Sequence, residues 1–336
     1  MIKKTLSHLD KIDYLLEQEL IACPLCSSES YRLVESMKER RGFVITVVLC
    51  NKCGHIYLNP RPKLSSYKEF YYNSDYRAYL SGSFSAQEEN KVRWEKLNDF
   101  RYHQKRIGHG HRLYQEYMKT RICPNDLVFD IGCGDGAWLI GLKEMTNCRI
   151  TGCDADMFYR EYIKKQAGIT IEVGMVEEIM EKISNNYKGQ VKLVIASGSL
   201  NHMLDPLRCL RLVHNMLTPD GYLYICNKNL FRHELFYHYM GINEYASIDH
   251  AHYFFNSTYK FMVESAGFKI ITFSHDSKIR FLCMDILAQK NEHYKKPEPK
   301  IYPDKIYRAL KLAKRFRWIR VLPKKLQRLI TQKISL

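Results

Sequence analysis

One stretch limits what this chain can fold into more than any other: LVFDIGCGDGAWL, residues 127–139. An apolar run of strand character ends at Asp130, Gly132, Gly134 and Gly136 and passes directly into a helical segment. Glycines at alternate positions let the backbone turn tightly and bring a ligand close to the main chain. A dinucleotide site would show G-x-G-x-x-G, whereas the spacing here is D-x-G-x-G-x-G. A strand, a glycine turn and a helix are the opening of a parallel α/β unit, and the text that follows alternates accordingly. Strands are predicted at 127–131, 149–154, 170–173, 191–197 and 222–227. Helices fall between them near 137–145, 158–167, 176–184 and 206–217, and a helix at 257–266 leads to strands at 269–274 and 280–288.

This order and the D-x-G-x-G-x-G turn resemble motif I and the core of class I methyltransferases that use S-adenosylmethionine (SAM). The resemblance implies a Rossmann-like α/β fold, mostly parallel, with the last strand antiparallel. It implies that Asp130, Gly132, Cys133, Gly134 and Gly136 lie along the methionine part of SAM. A second acid supports the same site. ITGCDAD, residues 150–156, ends a strand about 20 residues after the glycine turn, where a carboxylate can take both ribose hydroxyls. Asp154 is the candidate, with Ala155 beside it and Asp156 as the lesser choice. Two departures from the family stand out. The stretch that commonly reads Gly-Asp-Ala is Gly174-Met175-Val176, which leaves Met175 and backbone groups for adenine. The fourth strand begins Val191-Lys192 where Phe-Asp is common.

The acceptor side is read from two segments. VIASGSLNHMLDPLRCL, residues 194–210, puts Ser197 through His202 at the carboxyl end of the fourth strand, where open α/β sheets bind ligands. Asp205 can cap the next helix, and Pro206 suits its first turn. Asp249-His-Ala-His-Tyr-Phe-Phe then resembles a D/E-H-x-x-Y-F segment of zinc-containing methyltransferases acting on sugars and other small molecules. Methyl transfer needs a group to take the acceptor's proton, and a neutral histidine beside a carboxylate can do so. His250 with Asp249 is the first candidate pair. His202, His252 and Tyr253 are the alternatives, and an aromatic cluster without chemistry is the competing reading.

Upstream, Cys23-Pro-Leu-Cys26 and Cys50-Asn-Lys-Cys53 stand 23 residues apart. Two such pairs predict a four-thiolate, structural Zn(II) site with no open position for catalysis. The following Asn-Pro-Arg-Pro and the Tyr-rich text resemble zinc modules of sugar C-methyltransferases and glycan-cluster methyltransferases. In that comparison Tyr71, Tyr72 and Tyr76 are lid residues over SAM, or else simple helix-packing residues. The expected organisation is a short helix over 1–20, a zinc module over 21–60, a helical lid region over 61–125, the methyltransferase domain over 126–290 and a basic tail over 291–336.

The chain has 336 residues and a net charge of +16, but from Tyr294 onward 14 Lys/Arg face two acids. The excess charge therefore belongs to the tail. Ala309, Leu312, Phe316 and Ile319, then Leu326, Leu329 and Ile330, recur at helical spacing. That pattern fits contact with an anionic membrane surface, packing onto the catalytic domain, or a polyanion such as RNA. No apolar run reaches the ~18–20 residues of a membrane span. The start lacks a signal-peptide core, and the 11 cysteines are odd in number, so a reducing, cytoplasmic setting is expected, with peripheral contact at the inner membrane face. The function expected is methyl transfer to a small molecule or saccharide, first a sugar hydroxyl. C-methylation of a nucleotide-linked sugar, RNA methylation and a non-enzymatic SAM-fold scaffold are the alternatives. The pattern does not give an oligomeric state.

Overall fold

In the computed structural model of the chain, residues 13–39, 42–81, 86–230, 242, 246–280, 283–293 and 302–315 are described. The N-terminal part is built on strands β1 (Gln18–Glu19), β2 (Tyr31–Lys38), β3 (Val44–Cys50), β4 (Ile56–Leu58) and β5 (Arg61–Pro62). β3 carries Val44, Ile45, Thr46, Val47 and Val48 in a row, the β-branched composition that suits a pleated, half-buried surface. It pairs antiparallel with β2 on one side and β4 on the other.

Four helices follow: α1 (Leu64–Tyr72), α2 (Asp75–Ser81), α3 (Ala86–Asn98) and α4 (Phe100–Leu113). The alternating half begins with β6 (Leu127–Ile131), α5 (Ala137–Thr146), β7 (Arg149–Asp154), α6 (Met157–Ala167), β8 (Glu172–Val173) and α7 (Val176–Asn186). It continues with β9 (Val191–Ser197), α8 (Pro206–Met216), β10 (Leu217–Lys228), β11 (His252–Tyr253), α9 (Asn256–Ser265), β12 (Phe268–Ser274), β13 (Cys283–Lys290) and α10 (Pro303–Arg315).

Seven of these strands form one sheet in the order β12-β13-β10-β9-β6-β7-β8. β6 pairs parallel with β7 and β9, and β10 parallel with β9. Only β13 runs against its neighbours β10 and β12. This is the class I arrangement expected from the sequence. All five residues of β6 are buried, as a central strand covered on both faces must be. α4 lies directly on α5 because both carry glycine at the crossing. A Cβ on Gly110 would sit 2.4 Å from the Trp138 carbonyl oxygen, and one on Gly141 would sit 2.3 Å from that of Ile107.

Three stretches differ from the sequence expectation. The part of 1–20 that is described is a single 3-10 turn, Asp13–Leu16, followed by a strand. β1 is captured by β5, with Arg61 bridging to Glu19 at 3.1 Å and the Asn59 amide holding both the N–H and the C=O of Ile21. The module sheet is not closed within residues 21–60, since β11, nearly 200 residues later, is its fourth strand, paired with β4. The described part of the tail, α10, buries Ile306, Ala309 and Leu310. It is tied to β2 by Arg32–Asp304 and Lys314–Glu35, both at 2.7 Å. Leu312, expected on the apolar stripe, is 40% exposed. Phe316, Ile319, Leu326, Leu329 and Ile330 lie outside the described residues.

Candidate active site

The carboxyl ends of β6, β7, β8 and β9 open into one cleft of about 720 Å³, its open mouth included. Gly132, Asp154, Ala155, Asp156 and Met175 line it from the sheet side, and Ser199, His202 and Met203 from the loop after β9. Tyr71, Tyr76 and Arg77 close it from α1 and α2.

The glycine turn takes the shape its spacing predicts. Gly132, Gly134 and Gly136 have φ of 72°, 55° and 72°, a left-handed backbone that costs other residues about 1–2 kcal/mol each. A Cβ on Gly132 would also come within 2.8 Å of Ser199 Cβ, narrowing the cleft at its floor. The turn is held from outside by Asp135, whose carboxylate grips the Arg106 guanidinium through two N–H donors. Of the residues expected along the methionine part, only Gly132 reaches the cleft wall. Asp130 is 1% exposed, with one carboxylate oxygen lacking any hydrogen-bond partner. Burial first, then the nearby Asp154 and Asp135, push its carboxyl well above the usual range. Cys133 is buried, its thiol pushed up by the same burial. Ser197 ends β9 with a buried, unpartnered hydroxyl that is not in the wall.

The two acids after β7 separate clearly. Asp156 is consumed by structure. It caps α6 by accepting from the Phe158 N–H, takes the Ser74 hydroxyl at 2.6 Å and pairs with the buried Arg93 at 2.9 Å. Asp154 accepts only two backbone N–H groups, from Gly134 at 2.8 Å and Asp156 at 2.9 Å. A carboxylate has about four acceptor positions, so two remain for hydroxyls in the cleft. Burial raises its carboxyl to about 6, against the pull of those amides and of Arg77.

The residues proposed from the sequence for the acceptor side include a cluster of three. His202 Nδ1, Asp249 and His250 lie within 4.8 Å of one another. His202 Nδ1 is 2.9 Å from the Asp249 carbonyl oxygen and 3.0 Å from Tyr71 Oη. A carbonyl can only accept, so this contact favours the tautomer in which Nδ1 carries the proton and Nε2 keeps its lone pair. Tyr71 also donates to that carbonyl at 3.2 Å, and burial raises its hydroxyl well above the usual range, so it stays a phenol. The Asp249 carboxylate is 1% exposed and lies 3.8 Å from His202 and 3.7 Å from His250. Burial alone would raise it, but the facing His250 and His202 and the Ser247 hydroxyl hold it below the usual carboxylate range. Burial, reinforced by His250, lowers His202 to about 4 despite Asp249.

Not every candidate reaches the cleft. His202 is in the wall, whereas Asp249 and His250 stand behind it. His252 and Tyr253 belong to β11. The His252 ring bonds His55 inside the module at 3.0 Å, and the Tyr253 hydroxyl bonds the Ser247 backbone. Tyr71 and Tyr76 roof the cleft as a lid would, while Tyr72 is 45% exposed and turned away. Sequence reasoning missed Arg77 and Glu177. Arg77 donates to the Tyr159 hydroxyl at 2.7 Å, leaving its Nε buried and unpartnered. Glu177 accepts the Leu204 N–H through Oε1, while its buried Oε2 has no partner.

The sequence profile of a methyltransferase domain matches residues 101–272, just over half of the chain. The chain belongs to that family. It is a class I SAM-dependent methyltransferase. No curated protein matches it in sequence. Similar solved structures include a chain from the complex between the Haloferax volcanii Trm112 methyltransferase activator and the putative methyltransferase. That chain is 16% identical with a TM-score of 0.46, over 60% of this chain and 95% of that one. A SAM-dependent methyltransferase from Aquifex aeolicus is 14% identical with a TM-score of 0.44, over 59% of this chain and 97% of that one. Another, from Archaeoglobus fulgidus, is 19% identical with a TM-score of 0.44, over 55% and 94%.

The residues present fit both groups that the reading requires. For SAM, the cleft offers a glycine floor, the spare capacity of Asp154 and the orphaned Oε2 of Glu177. For zinc, the four cysteine sulfurs gather within 4.8 Å, with Cys23–Cys53 and Cys26–Cys50 each 3.5 Å apart. A tetrahedron with ~2.3 Å Zn–S bonds has edges of about 3.8 Å, so little movement is needed to close on the ion.

Proposed function

We propose that this methyltransferase acts on a small acceptor, first a sugar hydroxyl of a glycan or glycan precursor, with His202 as its base. One observation carries the assignment. The Asp249 carbonyl, 2.9 Å from His202 Nδ1, favours a proton there, and His202 is the member of the histidine–carboxylate cluster in the cleft wall. This ranks His202 ahead of His250, which then serves with Asp249 to support it.

SAM supplies a methyl group on a sulfonium, a leaving group that needs no proton. The protein's task is at the acceptor. As the acceptor oxygen bonds to the methyl carbon and the sulfur–carbon pair returns to sulfur, the acceptor's O–H proton passes to His202 Nε2. The imidazolium formed is stabilised by the ionised Asp249 carboxylate 3.8 Å from Nδ1. A lowered affinity for protons keeps His202 neutral and ready near pH 7. Asp154 holds the ribose hydroxyls. Glu177 takes over the adenine amine, the contact that Met175 cannot make. Cys23, Cys26, Cys50 and Cys53 hold structural Zn(II).

α10 supports a location near lipid-linked acceptors, since Lys305, Arg308 and Lys311 are exposed three residues apart along one face. Sedimentation with vesicles of anionic phospholipid tests this reading. Binding to RNA but not to vesicles would replace it. For the acceptor, the test is transfer of labelled methyl from SAM across free sugars, nucleotide sugars, lipid-linked saccharides and RNA. Label in an alkali-stable methyl ether of a sugar, absent in His202→Asn, is the expected outcome. Label on carbon would shift the reading to C-methylation, and label only in RNA would end it.

A further inference from the structure

The segments that carry His202 and Asp249 are bonded both to the four-cysteine module and to the helix that follows it. Residues 251–253 run as an edge between two partners. On one side β11 pairs with β4, His252 opposite Tyr57 and Tyr253 opposite Ile56, and the Leu58 N–H donates to the Ala251 carbonyl at 3.0 Å. On the other side the His252 N–H donates at 3.2 Å to the carbonyl of Asn201, the residue before His202. The N-terminal part adds more bonds to both segments. Tyr67 donates to the Ile248 carbonyl at 2.5 Å, Tyr71 to that of Asp249 at 3.2 Å, and Arg61 to that of Leu204 at 2.6 Å.

At the centre is a buried ring pair. His55 follows Cys53 by two residues and bonds His252 Nδ1 through Nε2 at 3.0 Å. Both rings are at most 1% exposed. His55 stacks on Tyr57 at 5.7 Å and lies 5.0 Å from Phe254. A buried polar contact of this kind favours one register, because losing it leaves two buried ring nitrogens without their partner. A two-residue strand cannot fix its own register.

We propose that the module is an internal clamp for the acceptor site: His55 and His252 are positioning residues that lock β11 to β4 and so set Asp249 and His202 against each other. The inference rests on His202 as base for its functional meaning, but its structural content stands separately. The clamp makes the acceptor half of the site depend on the module, while the SAM half depends on β6 and β7.

The experiment is hydrogen exchange on the full chain, comparing wild type, metal-stripped protein, His55→Phe and His252→Phe. Each variant keeps ring bulk and all four cysteines while deleting the bond, and zinc content is measured in each. Exchange in peptides spanning 198–204 and 246–256 is expected to rise at least tenfold, while 127–131 and 149–154 keep their protection. SAM affinity should stay within about threefold, and the His202 Cε1–H resonance should move because its Nδ1 partner has moved. Unchanged protection at 246–256 in both variants and in metal-stripped protein would overturn the clamp. So would a uniform loss of protection in all of them, which would make the module a general stabiliser. His202→Asn separates the two readings. Full methyl transfer by that variant in the acceptor screen would remove the base assignment alone, and the clamp would still stand or fall on hydrogen exchange.

Discussion

The two halves that the proposed function gives the cleft, one for SAM and one for the acceptor, are built in opposite ways. The SAM half comes from consecutive strand ends. Gly132 and Met175 sit just past strands of one sheet and Asp154 ends another of its strands, so each is placed by a strand end. The acceptor half is assembled from Tyr71, His202 and Asp249, which share no sheet and are 131 and 47 residues apart in sequence. In the proposed clamp, the N-terminal part of the chain brings them together. The first half is a property of the fold; the second is a property of how a separate piece of chain docks on it. If so, the two halves should fail separately.

The largest separation is expected at His202. His202→Asn removes the base but keeps a polar side chain near the Asp249 carbonyl. Methyl transfer should fall about 10²–10⁴-fold, the usual contribution of a general base, while the SAM dissociation constant in calorimetry stays within about threefold. A loss of SAM affinity as large as the loss of rate would erase the distinction between the halves. Asp154→Ala should show the reverse pattern. Two hydrogen bonds from ribose to a charged acceptor are worth about 1.5–3 kcal/mol each, so SAM affinity should fall at least about a hundredfold and the rate at saturating SAM much less.

Acidification sharpens the same comparison, because the halves titrate in different ranges. Asp154 has its carboxyl raised to about 6, so its acceptor capacity is present above that pH and lost as pH falls through it. His202 is lowered to about 4 and stays neutral throughout. SAM should therefore bind with constant affinity from pH 8 to 7 and weaken below 6, by at most about tenfold per pH unit for one proton. Asp154→Asn should abolish that slope. At saturating SAM, the rate should hold down to lower pH than the affinity does.

The contrast also explains what could be read in the sequence. The strand order, the glycine turn and the place of Asp154 at the end of β7 were legible because each is local. A strand, its turn and its acid lie within a few residues, and period and spacing report them. Asp156 could not be demoted from sequence, since its partners Ser74 and Arg93 come from α1–α2 and α3. His252 and Tyr253 look like site residues in the text Asp-His-Ala-His-Tyr. The edge of β4, some 200 residues earlier, turns them into a strand of another sheet. The alternation of a strand says which residues share a face. It does not say which distant edge will capture them.

The smallest expected effect tests the SAM half where the sequence departs from its family. Met175 has no side-chain acceptor for the adenine amine, and Glu177, two residues on, has Oε2 buried and unpartnered in the same wall. Glu177→Gln keeps an oxygen for the Leu204 N–H and replaces the orphaned acceptor with an NH₂ donor. A donor facing an amine loses one hydrogen bond, so affinity for S-adenosylhomocysteine should drop about threefold to thirtyfold. The inosine analogue carries a carbonyl where adenine has its amine, so the variant should bind it better than wild type does. Inversion of the preference is the decisive sign, because a general loosening of the wall would weaken both ligands alike. Equal weakening would return the adenine contact to the backbone around Met175 and leave Glu177 as the anchor of Leu204 alone.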